Sequence, residues 1–167
     1  MSVKEKGYLT TEEVRALPQY PTEEDFKRGP MAVIECPQEI PCNPCETSCR
    51  FNAIHVGKPI TTIPQFTGEN CTGCAVCVTR CPGLAIFVVD KTYSEDMATV
   101  TFPHEYRPLP KKGDIVDAVN RQGQFVCKAE VLRVLNPKAF DHTSIVTLIV
   151  PQDVVDDVRG MKRLPRD

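Results

Sequence analysis

The sequence has no tryptophan, only 9 glycines against 15 prolines, and almost no excess charge of either sign, with a formal net charge of −2 over 167 residues. Each shortage excludes something. Near-neutral charge argues against a protein whose main task is gripping nucleic acid, since that affinity rests on an excess of Lys and Arg. Many prolines and few glycines describe a backbone of stiff loops rather than long helices. The longest apolar stretches, Leu84 to Val89 and Ile145 to Val150, fall far short of the roughly 20 residues that a membrane-spanning helix needs. The stretch Met1 to Gly7 is polar and charged and lacks the apolar core of a secretory signal. The expected location is therefore cytoplasmic, with no membrane insertion. No Ser-His-Asp set, paired-carboxylate signature, glycine-rich phosphate loop or dinucleotide fingerprint occurs. The chain is thus expected to have no catalytic site of its own and no place for FAD or NAD. The rest is an ordinary folding composition, 41% hydrophobic and 25% charged, which excludes wholesale disorder.

What the chain has in abundance is cysteine. Eight of its 9 cysteines fall between Cys36 and Cys81, and Cys127 stands apart. In a reducing compartment, clustered thiols bind metal rather than pair as disulfides. Cys71-x2-Cys74-x2-Cys77-x3-Cys81-Pro82 has the spacing of the C-x2-C-x2-C-x3-C-P run that holds four-iron, four-sulfur clusters. Three cysteines at two-residue intervals wrap a loop around one corner of a cubane. The fourth lies along a short helix and points the other way, toward a second cluster. A second set is therefore predicted, and Cys36-x5-Cys42-x2-Cys45-x3-Cys49 supplies it. Its first interval is lengthened by Pro37-Gln38-Glu39-Ile40-Pro41. An internal repeat supports the pairing: Cys49 to Val56 aligns with Cys81 to Val88, with Cys, Ala-Ile and Val in register. The competing reading is structural zinc on Cys42-x2-Cys45 and Cys71-x2-Cys74, which leaves Cys36, Cys49, Cys77 and Cys81 unexplained.

These motifs resemble those of bacterial two-cluster ferredoxins. The resemblance implies an α+β fold, a β-α-β-β-α-β ferredoxin-like two-cluster domain, followed here by a small antiparallel β domain. It implies two 4Fe–4S clusters, one on Cys36, Cys42, Cys45 and Cys81, the other on Cys49, Cys71, Cys74 and Cys77. The long interval after Cys36 leaves a three-iron form or a non-cysteine ligand open at the first. Arg50 stands where a proline usually follows the fourth cysteine. Over nearly its whole length the chain is also similar to the small iron–sulfur subunits of bacterial FAD-dependent amine and amino-acid dehydrogenases, through Glu35-Cys36-Pro37, Cys71-Thr72-Gly73-Cys74, Cys81-Pro82-Gly83-Leu84 and Lys112-Gly113-Asp114. That implies an electron-transfer subunit relaying single electrons from a flavoprotein partner in a hetero-oligomeric complex, with FAD on the partner. A freestanding, diffusible carrier and a zinc-stabilised binding module are the alternatives.

Along the chain, residues 1–30 read as a leader or docking arm, with a capping box at Thr10-Thr11-Glu12-Glu13 and too few apolar residues for a core of its own. Residues 31–107 hold the clustered cysteines and an added strand from Met97 to Phe102. Helices are expected over Pro44–Arg50 and Gly73–Arg80. Residues 108–167 read as a small β domain, with strands at Asp114–Val119, Phe125–Leu135 and Thr143–Val150 and a closing helix from Pro151 to Met161. Cys127 is expected to be core filler. His55, His104 and His142 have no ligand spacing.

Overall fold

A computed structural model describes residues 3–166. Three short helices come first: α1 (Val3–Lys6), α2 (Thr11–Arg15) and α3 (Glu23–Phe26). Both α2 and α3 begin with a capping box, on Thr10 and Thr22, in which the side chain accepts from the third helical N–H while Glu13 or Asp25 reaches back. These caps satisfy N–H groups that such short helices otherwise leave bare. The leader buries Leu9, Val14, Leu17 and Phe26 in the main core. It cannot make a core by itself and instead completes that of the sheet.

After the leader come β1 (Met31–Ile34), α4 (Pro44–Thr47), β2 (Ile54–His55), β3 (Gln65–Phe66), α5 (Val76–Arg80) and β4 (Ile86–Asp90). Then follow β5 (Met97–Pro103), β6 (Ile115–Val119), β7 (Phe125–Leu135), β8 (Ile145–Pro151) and β9 (Gly160–Met161). Seven strands form one antiparallel sheet in the order β1-β4-β5-β8-β7-β6-β9, and β2 and β3 form a separate two-stranded sheet. This corrects the expected α+β fold, in which a ferredoxin-like two-cluster domain is followed by a small antiparallel β domain. The architecture is dominated by a single large antiparallel sheet with a few short helices. Strand β5 is the reason. Val100 pairs with Val89 of β4 on one side and Leu148 of β8 on the other, so backbone groups that would form an open edge are hydrogen-bonded on both flanks. The cysteines and the prolines at 103, 108 and 110 divide the sequence, but the hydrogen-bond ladder runs across that division.

The expected closing helix over 151–161 is also corrected. The segment is a 3-10 turn at Gln152–Val154 followed by β9. Val155 and Val158 are buried all the same, and the chain turns back to pair Ala118 with Met161. Strand pairing supplies hydrogen bonds that a short helix leaves unmade at its ends.

Strands β1 and β4 are apolar on both faces, as continuous hydrophobic runs require of doubly covered strands. Alternation splits their side chains. Met31, Val33, Phe87 and Val89 face the main core, whereas Ala32, Ile34, Ile86 and Val88 face a second cluster containing Cys45, Cys77, Ile54, Val56 and Val78. The sheet thus separates a large core from the layer that carries the cysteines.

Candidate metal centres

The eight clustered cysteines surround two cavities beneath that second face. One is bounded by Cys49, Cys71, Cys74 and Cys77, with Ala32 and Val88 among its lining residues. The other is bounded by Cys36, Cys42, Cys45 and Cys81, with Ile34 and Ile86 in its wall. Ala32 pairs with Val88 and Ile34 with Ile86, so consecutive inward-facing pairs of one β ladder line successive cavities. Each of the two cysteine-bearing segments serves both. Cys45 of α4 lies at one cavity and Cys49, just past that helix, at the other; Cys77 and Cys81 are divided in the same way around α5.

The internal repeat is repeated in the backbone. Asn52 and Leu84, each three residues past a cysteine, have φ of 53° and 51°, a left-handed conformation uncommon for residues other than glycine. Just beyond them, the Ala53 N–H donates to Cys49 Sγ at 3.3 Å and the Ala85 N–H to Cys81 Sγ at 3.4 Å. The Gly73 N–H lies 3.5 Å from Cys71 Sγ. Such donors favour a thiolate over a thiol. Gly73 itself has φ of 65°, and a Cβ there would meet Pro30 side-chain carbons at 2.5 Å and its carbonyl oxygen at 2.7 Å. Glycine is required at this corner by conformation and by space.

Burial pushes the Cys77 thiol up to about 12, and the charges of Cys71, Cys74 and Cys49 add to the rise. Burial likewise pushes Cys45 up to about 11, with Cys81, Cys42 and Cys36 adding. Cys36 is raised by burial and by Cys81 and Cys42. The thiols that act on one another divide into the same two groups of four. Crowded thiolates in apolar walls repel one another, and multivalent cationic iron would reverse that repulsion. Four soft donors, an apolar wall and backbone N–H groups directed at sulfur are the chemistry a four-iron cubane takes. Among the described residues, no group of three or more His, Cys, Asp and Glu side chains is gathered as a single-ion site.

The two cavities are held differently. At the first, Cys71 to Cys77 is one compact loop, turned by Gly73 and by Ala75 at φ 63°. At the second, the longer Cys36–Cys42 segment is held by its neighbours. The buried Gln19 of the leader donates from Nε2 to the carbonyls of Ile34 at 3.3 Å and Cys36 at 3.1 Å, and the Cys42 N–H donates to the Ile60 carbonyl at 3.2 Å. The helices are shorter than the expected Pro44–Arg50 and Gly73–Arg80: α4 ends at Thr47, ahead of Cys49, and α5 begins only at Val76, after the loop that carries Cys71 and Cys74.

Outside the cavities, Cys127 is partly buried against the main core, as a small apolar side chain would be. His55 Nδ1 lies 2.6 Å from Glu46 Oε1, an oxygen that also accepts from the Gly57 N–H at 3.3 Å. That pair ties β2 to α4. Sequence reasoning missed a charged cluster beside Cys36. Glu35 accepts from Arg121 Nε and Nη2 at 2.7 and 2.6 Å and from Arg159 Nε at 2.6 Å. The three residues are separated by long stretches of chain, so no local pattern announces them. Among the described residues, no helix is long and apolar enough to cross a membrane.

No family model matches the chain, and no solved structure matches it. Among curated proteins the chain is similar to Protein Pixie of Drosophila melanogaster, with 26% identity over 113 residues. The match covers 58% of this chain and 18% of that protein, so the chain spans under a fifth of its relative's length.

Proposed function

We propose that this chain is an electron-transfer protein that holds two 4Fe–4S clusters and relays electrons within a complex whose flavoprotein subunit oxidises an amine or amino acid. The observation that carries the reading is the gathering of eight cysteines into two sets of four, each around its own cavity. Cys36, Cys42, Cys45 and Cys81 would hold one cluster, and Cys49, Cys71, Cys74 and Cys77 the other. When bound, such clusters accept and return one electron at a time. The chain's own residues supply the rest. The thiolates anchor iron, the N–H groups of Ala53, Ala85 and Gly73 stabilise negative charge on sulfur, and Ala32, Ile34, Ile86 and Val88 exclude water from the inner wall. Interwoven ligation, with each helical segment serving both cavities, keeps the two centres close. The flavoprotein partner rests on the likeness of the motifs to dehydrogenase subunits and on the lack of any dinucleotide fingerprint in this chain.

Anaerobic purification from the native source tests both parts. The expected product is brown, bleaches on reduction and carries about eight iron and eight acid-labile sulfide per chain, together with a flavin-containing subunit. Zinc without sulfide would overturn the cluster assignment. A cluster-loaded monomer, with no flavoprotein at any stage, would overturn the partner.

A further inference from the structure

Cys36 is the one candidate ligand that no compact run places. Five residues separate it from Cys42, whereas every other interval within the two runs is two or three residues. Its placement comes instead through residues 34–36. The Glu35 N–H donates to the Ala85 carbonyl at 2.8 Å, and the Ala85 N–H donates to Cys81 Sγ at 3.4 Å. One residue thus ties the chain just before Cys36 to a thiol of the same set. Gln19 holds the Ile34 and Cys36 carbonyls. The Glu35 carboxylate is gripped by Arg121, between β6 and β7, and by Arg159, just ahead of β9. These three side chains are only 7%, 9% and 3% exposed. Arg159 is fixed in turn, donating from Nη1 to the carbonyls of Val155 and Val158 at 3.0 and 2.6 Å and lying over the Phe87 ring. Arg121 Nη1 donates to Thr11 of the leader at 3.1 Å. An open cleft beside the cavity is lined by these three residues together with Cys36, Cys42 and Cys81.

The other half of the repeat supplies the comparison. There Ala53 stands where Ala85 does: its N–H donates to Cys49 Sγ at 3.3 Å, and its carbonyl accepts from the Thr67 N–H at 2.9 Å. Thr67 therefore has the place of Glu35, one residue past β3 as Glu35 is one residue past β1. Thr67 is exposed and uncharged. It is followed by a 3-10 turn, Gly68–Asn70, that leads into Cys71 and its compact run. Glu35 is followed directly by Cys36. The buried charges thus sit on the half whose first cysteine has no turn to place it. A buried carboxylate between guanidiniums adds little net stability, because desolvation offsets the attraction, but it can fix one geometry. Groups behind a ligand orient it and tune the site. We propose that Glu35 is a positioning residue for Cys36: gripped by Arg121 and Arg159, it holds that thiol at its cavity and makes the site depend on the C-terminal strands. The inference rests on the cluster reading and deepens it, by tying one of the two sites to a distant part of the chain.

Glu35→Gln in the full-length, cluster-loaded protein tests this, read by reduced-state EPR and by the rate of iron release to a chelator. Cys36→Ser and Cys77→Ser assign the two signals. Glu35→Gln is expected to alter the signal that Cys36→Ser alters, to speed iron release from that site severalfold, and to leave the other signal as it is. Arg121→Gln, which keeps the Arg159 contact, is expected to change the same signal less; should Glu35→Gln fail to fold, Arg121→Gln decides. Asp156→Asn is the control for general loosening. It cuts the ion pairs with Arg15 and Lys91 without touching residues 34–36, and is expected to leave both signals unchanged. The proposal is overturned if the folded Glu35 and Arg121 variants match the wild type, if they disturb both signals alike, or if Asp156→Asn reproduces their effect. It is overturned as well if Cys36→Ser changes nothing. Wild-type protein without iron and sulfide overturns this inference together with the cluster reading, whereas a loaded wild type with unresponsive variants overturns this inference alone.

Discussion

The two cysteine-lined cavities are built from equivalent halves of a repeat, yet they meet the rest of the protein differently. The cavity of Cys49, Cys71, Cys74 and Cys77 takes three of its thiols from one short run, turned by Gly73 and Ala75. The cavity of Cys36, Cys42, Cys45 and Cys81 is assembled from a longer segment that depends on Gln19 of the leader and Ile60 of the following loop. Pro37, Gln38 and Ile40, within the lengthened interval, also wall the neighbouring cleft. The repeat therefore sets the cysteine pattern, while the five-residue interval joins one of the two cavities to a surface that the other does not line. A compact run is specified by local conformation. An extended one needs tertiary support, and is the more sensitive to changes elsewhere.

The sharpest way to test the equivalence is to remove one buried thiol from each set. Cys77→Ser and Cys45→Ser should each lose about half of the iron and sulfide and leave the other cluster's reduced EPR signal in place; retention of full iron in either would break the pairing. Cys36→Ser should do less, because its cavity adjoins the open cleft and an oxygen ligand can enter. The expected result is an altered EPR signal with most iron kept, and an unchanged spectrum would remove Cys36 from the ligand set. Next is the inner wall. Ile86→Ala leaves a cavity between the sheet and the cysteine layer and should cost about 2–5 kcal/mol in denaturant unfolding, with iron released first from the Cys36–Cys81 side. The smallest effect concerns the leader's anchorage. Burial alone would raise the Asp156 carboxyl, but the Arg15 hydrogen bond and Lys91 hold it below its usual 3.8. Its contribution is complete above that value and disappears as the pH falls through the lowered, folded-state value. Asp156→Asn should therefore destabilise the protein by about 1–3 kcal/mol near neutrality and by progressively less in strong acid. A constant difference across that range would count against the ion pair.

Much of the local structure was legible in the sequence. The strands at 97–103, 115–119 and 125–135 follow alternation or β-branched runs, and the cap at Thr10 follows the side-chain chemistry of Thr with Glu three residues on. The C-terminal segment was not legible, because Val154, Val155 and Val158 have the spacing of a helical face whether they sit on a helix or, as here, on a turn leading into a strand. The large sheet was not legible either. Pairing of β5 with β8 is a long-range choice that satisfies open edges, and nothing in either strand names its partner.

By itself the sequence determined which thiols recur at two- and three-residue intervals and that the recurrence is twofold, because those are properties of neighbouring residues along a short loop. Only the tertiary structure decided that the cysteine layer and the C-terminal strands share one ladder, and that Glu35, Arg121 and Arg159 meet beside Cys36. Residues so far apart are brought together by burial and backbone pairing summed over the whole chain, and that sum has no local signature.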